Sequence, residues 1–249
     1  MFRKLAKILG ALVLIIFLIG TLAFTSYEKK EVKCTAIEVS FNNSDPIHVS
    51  KNEVLRLVNA ADKQIIKKSL NQINSEIIEA SVEKNQAIKE AQVYKIIKND
   101  SGTYNGVLVI KVLHREPVLR VIAESASYYL DREGNKIPAS SNFATNVLVA
   151  TGAISEKLAV EKILPFVLFV EDDDFWHAQI EQINVERGGD IHLIPLIGDQ
   201  IIEMGSLDNY ERKLRRVKSF YEQVIAKNNW DKYKEISVKY DNQVIAKRK

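Results

Sequence analysis

The spacing of apolar and polar positions changes several times along this 249-residue chain, and each change marks an element. Between Lys7 and Glu28 no residue is charged, and nearly every side chain from Ile8 to Phe24 is apolar. As a helix rising ~1.5 Å per residue, such a run of roughly 20 residues spans a ~30 Å hydrocarbon core. Residues 34–41 then alternate, with Ile37, Val39 and Phe41 on one face, which predicts a half-buried strand. Asn42-Asn43-Ser44-Asp45-Pro46 ends it with turn chemistry. Ser50-Lys51-Asn52-Glu53 has the form of a capping box ahead of Val54, Leu55, Leu57 and Val58, so a helix starts there. A second helix is expected over 70–83 with Leu70, Ile73, Ile77 and Val82 facing a core. Strands are expected over 88–98 and 107–114, joined by Asn99-Asp100-Ser101-Gly102. Strand, helix, helix, strand, strand in about 80 residues is enough for a small domain.

Beyond Pro117 the pattern becomes rich in short strands, expected over 118–123, 127–130 and 147–149, with a turn at Asp131-Arg132-Glu133-Gly134-Asn135. Residues 155–169 read as a helix that Pro165 should kink or end nearby. Residues 180–185 and 191–196 read as a hairpin about Arg187-Gly188-Gly189-Asp190. Leu207, Tyr210, Leu214, Val217, Tyr221 and Val224 step by three and four, the stripe of an amphipathic helix. Residues 235–240 and 243–247 read as the last two strands. The fold class expected is α+β: an N-terminal transmembrane helix, a β-α-α-β-β domain, then a mixed β-sheet domain with flanking helices. The corresponding divisions are a tail over 1–7, an anchor over 8–27, a stalk over 28–33, and domains over 34–116 and 117–249.

The anchor sets the compartment. Arg3, Lys4 and Lys7 precede the apolar run with no acidic residue among them, which keeps the short tail in the cytoplasm and sends the bulk of the chain across. Leu12, Ile15, Phe17 and Leu18 stand at its centre. A cleaved signal peptide fits poorly, because the run is long and Ala23-Phe24-Thr25-Ser26 is no A-x-A-like site. A lipoprotein fits no better, since Cys34 follows Glu31-Val32-Lys33. Composition adds exclusions: 46% hydrophobic and 27% charged residues exclude a disordered chain, and a single cysteine excludes an internal disulfide framework. A formal charge of +3 does not point to nucleic acid.

The motifs carry little chemistry. No Gly-rich phosphate loop, H-E-x-x-H, G-x-S-x-G or well-placed S-x-x-K occurs, and His48, His114, His177 and His192 are dispersed. Glu171-Asp172-Asp173-Asp174 with His177 is the one metal-like cluster, and it lacks the spacing of an oxygen-ligand loop. No enzyme activity, metal or cofactor is expected. Arg212, Lys213, Arg215, Arg216 and Lys218 form a basic helix that reads first as a solvated face. The terminal strand, taken from the residues alone, reads as an ordinary closing strand, although a strand at that place can leave a sheet edge open.

Two stretches carry a resemblance. Residues 79–94 (Glu79 to Tyr94) resemble the helix-to-strand passage of a POTRA domain, and 108–118 resemble its last strand and exit, with Arg115-Glu116-Pro117-Val118 at the end. Further on, Tyr128-Tyr129-Leu130-Asp131, Val149-Ala150-Thr151-Gly152, Ile191-His192-Leu193-Ile194-Pro195 and Tyr240-Asp241-Asn242-Gln243-Val244-Ile245 follow in the order seen in the β domain of FtsQ/DivIB bacterial cell-division proteins. Gln86 stands where that family often has proline, and Gln243 where it can have a small residue. The resemblance implies a non-enzymatic, bitopic division protein of the inner membrane, N-terminus cytoplasmic and bulk periplasmic, at the septum. It implies a POTRA domain that meets other divisome proteins. It also implies a terminal strand that captures an FtsB/DivIC-like partner paired with an FtsL-like protein and so helps regulate septal peptidoglycan synthesis. Carried over by position, the contact residues are Tyr240, Asn242, Gln243, Val244 and Ala246. Two other classes remain: a POTRA-bearing chaperone or transport accessory binding extended polypeptides, and a tethered cell-wall enzyme, which would need paired acids in a cleft.

Overall fold

A computed structural model describes residues 2–30, 32–42, 49–100, 102–124, 126–140, 144–225 and 232–249. The chain divides into two compact units, Met1–His114 and Arg115–Lys249.

In the first unit, helix α1 runs from Phe2 to Lys30. Its side chains are described over residues 9–23, and all of them are exposed. That stretch is about 22 Å of helix, and among the described residues no helix is long and apolar enough to cross a membrane. The expected span therefore lies in part outside the described side chains. Strand β1 (Cys34–Phe41) has the bounds its alternation predicts. Helix α2 (Lys51–Ala61) starts at Ser50, whose hydroxyl accepts the Glu53 N–H at 3.2 Å. The Glu53 carboxylate accepts from the Asn85 side chain, tying this helix start to the turn before the next strand.

The second expected helix is corrected. Leu70–Gln72 forms a single 3₁₀ turn, and α3 (Ser75–Val82) begins afresh with Asn74 capping the Ile77 N–H. Restarting the helix resets its phase: Leu70 and Ile73 are buried through the turn, Ile78 and Val82 through the helix, and Ile77 is 56% exposed. Strands β2 (Ile88–Asp100) and β3 (Thr103–His114) form a long antiparallel hairpin, and β3 also pairs in parallel with β1, giving the order β1-β3-β2. Gly106 in β3 is obligatory on steric grounds, since a Cβ there would sit 2.6 Å from the Lys33 carbonyl.

The second unit is a nine-stranded mixed sheet. Its strands are β4 (Pro117–Ala123), β5 (Ser127–Asp131), β6 (Lys136–Pro138), β7 (Leu148–Gly152), β8 (Ile180–Val185), β9 (Ile191–Pro195), β10 (Ile201–Gly205), β11 (Tyr233–Ser237) and β12 (Ile245–Arg248). They lie in the order β12-β11-β10-β9-β8-β7-β4-β5-β6. Between β7 and β8 stand α4 (Glu156–Leu158), α5 (Leu164–Glu171) and the short α6 (Asp174–His177). Pro165 does not end this helical run. A π turn over Ala159–Ile163, with the Leu164 N–H bonded to the Ala159 carbonyl, widens the ladder just ahead of the proline ring. Helix α7 (Tyr210–Phe220) continues into a second π turn, Tyr221–Ile225. One core joins sheet and helices: Ile183, Leu193, Ile202 and Ile236 meet Phe166, Leu214, Val217 and Tyr221.

The Asp131 turn is strongly held. Its carboxylate accepts from the Glu133 and Asn135 N–H groups, the Asn135 amide and Arg115 at 2.8 Å. Burial alone would push its pKa up, but the bonds from Asn135 and Arg115 hold it below the ordinary carboxylate range.

Candidate functional site

The edges of the large sheet differ. At one end β6 is three residues long and closes on Pro138, which has no N–H to offer. At the other end stands β12. Which of its backbone groups face outward follows from β11. The Val238 N–H bonds the Glu203 carbonyl on the β10 side, so Ile236 also faces β10, while Glu235 and Ser237 face β12. The pairs Glu235↔Lys247 and Ser237↔Ile245 therefore exchange ladder bonds, and Ile236↔Ala246 does not. The Lys249 N–H returns to the Lys232 carbonyl, which fixes the same phase at the far end. Ala246 and Arg248 thus turn their N–H and C=O groups away from the sheet.

The hairpin leading into β12 is gripped by α7. Asn242 at its tip has φ 61°, a left-handed conformation that asparagine tolerates, and its Oδ1 accepts from Arg212. Arg216 spans the turn: Nη1 donates to the carbonyls of Tyr240 (2.9 Å) and Gln243 (3.0 Å), and Nη2 to that of Val238 (3.3 Å). A guanidinium presents five donors in a fixed plane, so one side chain can hold three carbonyls of a bending chain. Lys213 is buried and donates to the Met204 and Ser206 carbonyls. Burial lowers its pKa, against the opposing charge of Asp208. Lys218 lies 4.7 Å over the Phe175 ring. The solvated-face expectation for this helix is thus corrected, because four of its five cations are engaged with the protein. The fifth, Arg215, is exposed and lines a groove of about 450 Å³ with Arg212, Phe220, Val224, Gln243 and Val244.

The five residues carried over from the sequence fall in this one hairpin. Tyr240 is 53% exposed with its carbonyl held, Asn242 makes the tip, and Gln243 is exposed with its carbonyl held. Val244 lies just before β12 and packs partly buried against the core, so it lines the groove. Ala246 carries the outward backbone. Arg212, Arg215, Arg216 and Phe220 were not anticipated there. Their signal was the i, i+4 spacing of Arg212 and Arg216 beside the apolar stripe. In β12 itself, Lys247 bonds Glu235 of β11 at 2.6 Å, a bond that pushes the Lys247 pKa up.

The acidic run is also accounted for. Asp173 caps α6 by accepting the Phe175 and Trp176 N–H groups, and Arg132 pairs with Glu171 and Asp172. Trp176 is buried in the core. A second cavity, about 330 Å³, is lined by Glu171, His177 and Glu181 among apolar neighbours. Burial pushes the Glu171 pKa up, against the charge of Arg132. Among the described residues no group of three or more His, Cys, Asp or Glu gathers to hold a metal.

The described structure is thus a three-stranded sheet with α2 and α3 in the first unit, and in the second a mixed sheet with β12 at one edge. The POTRA-like domain family matches residues 32–103, and the family described as FtsQ/DivIB, C-terminal related, matches residues 116–247. No curated protein matches the chain. The chain belongs to the FtsQ/DivIB family, whose members are division-related scaffolds engaging other division proteins.

Proposed function

We propose that the chain is a divisome scaffold whose β12 edge captures an FtsB/DivIC-like protein, together with its FtsL-like partner, by strand addition. The observation that carries this reading is the outward row of Ala246 and Arg248 backbone groups at an edge that, among the described residues, no other strand covers. Strand addition draws affinity from such groups and specificity from the pockets beside them. Here the pocket is the groove of Arg212, Arg215, Phe220 and Val244, which suits a segment with an acidic and an apolar side chain in succession. Holding that pair at the septum is how the scaffold would bear on peptidoglycan synthesis. Attachment of α1 to the inner membrane belongs to the same proposal, with Arg3, Lys4 and Lys7 on the cytoplasmic side and the residues after α1 outside. It is supported by the exposure of Leu12, Ile15, Phe17 and Leu18, each at least half exposed. Contact of the POTRA-like unit with further divisome proteins is proposed on family grounds.

The test is a pull-down from membranes with intact chain and two proline variants, each checked for folding by circular dichroism. Ala246→Pro removes an outward N–H and leaves the β11 ladder intact, whereas Val244→Pro acts on the groove just before β12. Loss of the FtsB- and FtsL-like pair with folded Ala246→Pro supports the reading. Retention of the pair moves the site off the edge, and capture of many unrelated extended chains would favour a chaperone instead.

A further inference from the structure

The first unit contains a second edge strand, β2, and its outward N–H groups are not all open. Ala91 donates to Glu83 Oε1 at 2.9 Å, and Val93 donates to Glu79 Oε1 at 2.7 Å. Glu79 lies in α3 and Glu83 caps its C-terminus, four residues further on. Four helical residues rise ~6.0 Å, and two strand residues rise ~6.6 Å. Successive outward donors of β2 therefore meet the carboxylates of α3 and its C-cap with little mismatch. An acceptor at those two places is what the carbonyls of an added strand would supply. Next along, the Lys95 ammonium donates to the Ile73 carbonyl at 2.6 Å, holding the segment before α3 against the same strand.

We propose that Glu79 and Glu83 act as a built-in substitute for a partner strand, closing the β2 edge to strand addition, and that the partner chiefly excluded is a second copy of this chain. The inference concerns the chain alone and stands whether or not β12 takes a partner. The reason for excluding a copy is in the strand itself. Antiparallel pairing of β2 with β2 of a second copy, centred on Tyr94, sets Val93 opposite Lys95, Ala91 opposite Ile97, and Glu90 opposite Lys98. Oppositely charged pairs then flank exposed Tyr94 and Ile96, an arrangement that favours association. Its backbone bonds require the N–H groups of Ala91 and Val93, the two that the glutamates occupy. Carboxylates also repel an incoming row of carbonyls, so the closure rests on both occupancy and charge.

The experiment uses the full chain in detergent, as wild type, Glu79→Ala/Glu83→Ala and Glu79→Gln/Glu83→Gln. Amide hydrogen exchange is read residue by residue at a dilution where light scattering shows monomer, and mass is then followed with rising concentration. In the wild type, Ala91 and Val93 should exchange at least about tenfold more slowly than in the alanine variant, as loss of a bond to a charged acceptor implies. The glutamine variant keeps an acceptor oxygen and should stay much nearer the wild type. The alanine variant should dimerise at concentrations where the other two remain monomeric. Single variants guard against a folding failure: Glu79→Ala should expose Val93 and spare Ala91, and Glu83→Ala the reverse. Equal exchange at both sites in wild type and folded alanine variant overturns the closure. An alanine variant that exposes both amides yet stays monomeric overturns the second-copy claim.

Discussion

Replacing Arg216 by alanine isolates the grip of α7 on the terminal hairpin. The side chain makes two well-placed bonds to the Tyr240 and Gln243 carbonyls, at 2.9 and 3.0 Å, and a longer one to Val238 at 3.3 Å. A hydrogen bond from a charged donor contributes about 1.5–3 kcal/mol. The two short bonds lie at the exposed surface, where solvent screening takes each below that range, so together they are worth about 2 kcal/mol. Because the bonds tie the hairpin and not the core stripe of Leu214 and Val217, the loss should fall on local opening of β12. That is about a 30-fold rise in the opening equilibrium. The assay is amide exchange at Ile245 and Lys247, whose N–H groups face β11, with Ile183 in the sheet centre as reference. Arg216→Lys should recover only part of the protection, since an ammonium cannot hold three carbonyls in one plane. Unchanged exchange at Ile245 and Lys247, or an equal loss at Ile183, would refute a grip confined to the hairpin.

The phase of α3 separates two neighbouring isoleucines. Ile78→Ala should cost about 2–5 kcal/mol of first-unit stability in denaturant titration and Ile77→Ala less than about 0.5 kcal/mol, because only the former empties core volume. Asp131 makes a pH prediction: its folded pKa is lowered, so its contribution is complete above the ordinary carboxylate value near ~4 and is lost as pH falls through its folded value. Thermal melts of the second unit should therefore fall in that acidic window, and Asp131→Asn should flatten this part of the profile while costing about 1–2 kcal/mol at neutral pH.

Where one face of an element is buried, the sequence announced it. The period of β1, the Ser50 cap and the bounds of β8 all follow from residues whose role is local. The misses have particular causes. β6 is too short to show a period, and β10 hides its alternation because Ile201 is apolar yet 42% exposed beside buried Ile202 and Met204. The 70–83 helix was misread because a 3₁₀ turn and a helix in series keep apolar residues near helical spacing while changing phase between them. The partners of Arg216 could not be read at all. They are three main-chain carbonyls, and carbonyls leave no trace in residue identity. The position of β12 at the rim is likewise a matter of strand order, which hydrophobic pattern does not encode.

The treatment of the sheet edges gives the chain its directionality. β1 has its start covered by the 67–68 segment, through bonds between Cys34 and both residues, and β2 has Ala91 and Val93 closed by glutamates. β6 is short and ends in proline. At β12 the usual defence, a row of lysines, is partly spent within the protein, since Lys247 is paired to Glu235 and Lys249 to Asp199. An approaching strand therefore meets outward backbone groups with exposed Arg248 on the strand and Arg215 in the groove beside it. Such an edge does not repel strands in general; it repels basic ones. On the proposed reading, selectivity would rest on charge at the rim as much as on hydrogen bonds along it, and an acidic residue in an added strand should then govern association rate and salt dependence more than the lifetime of the complex.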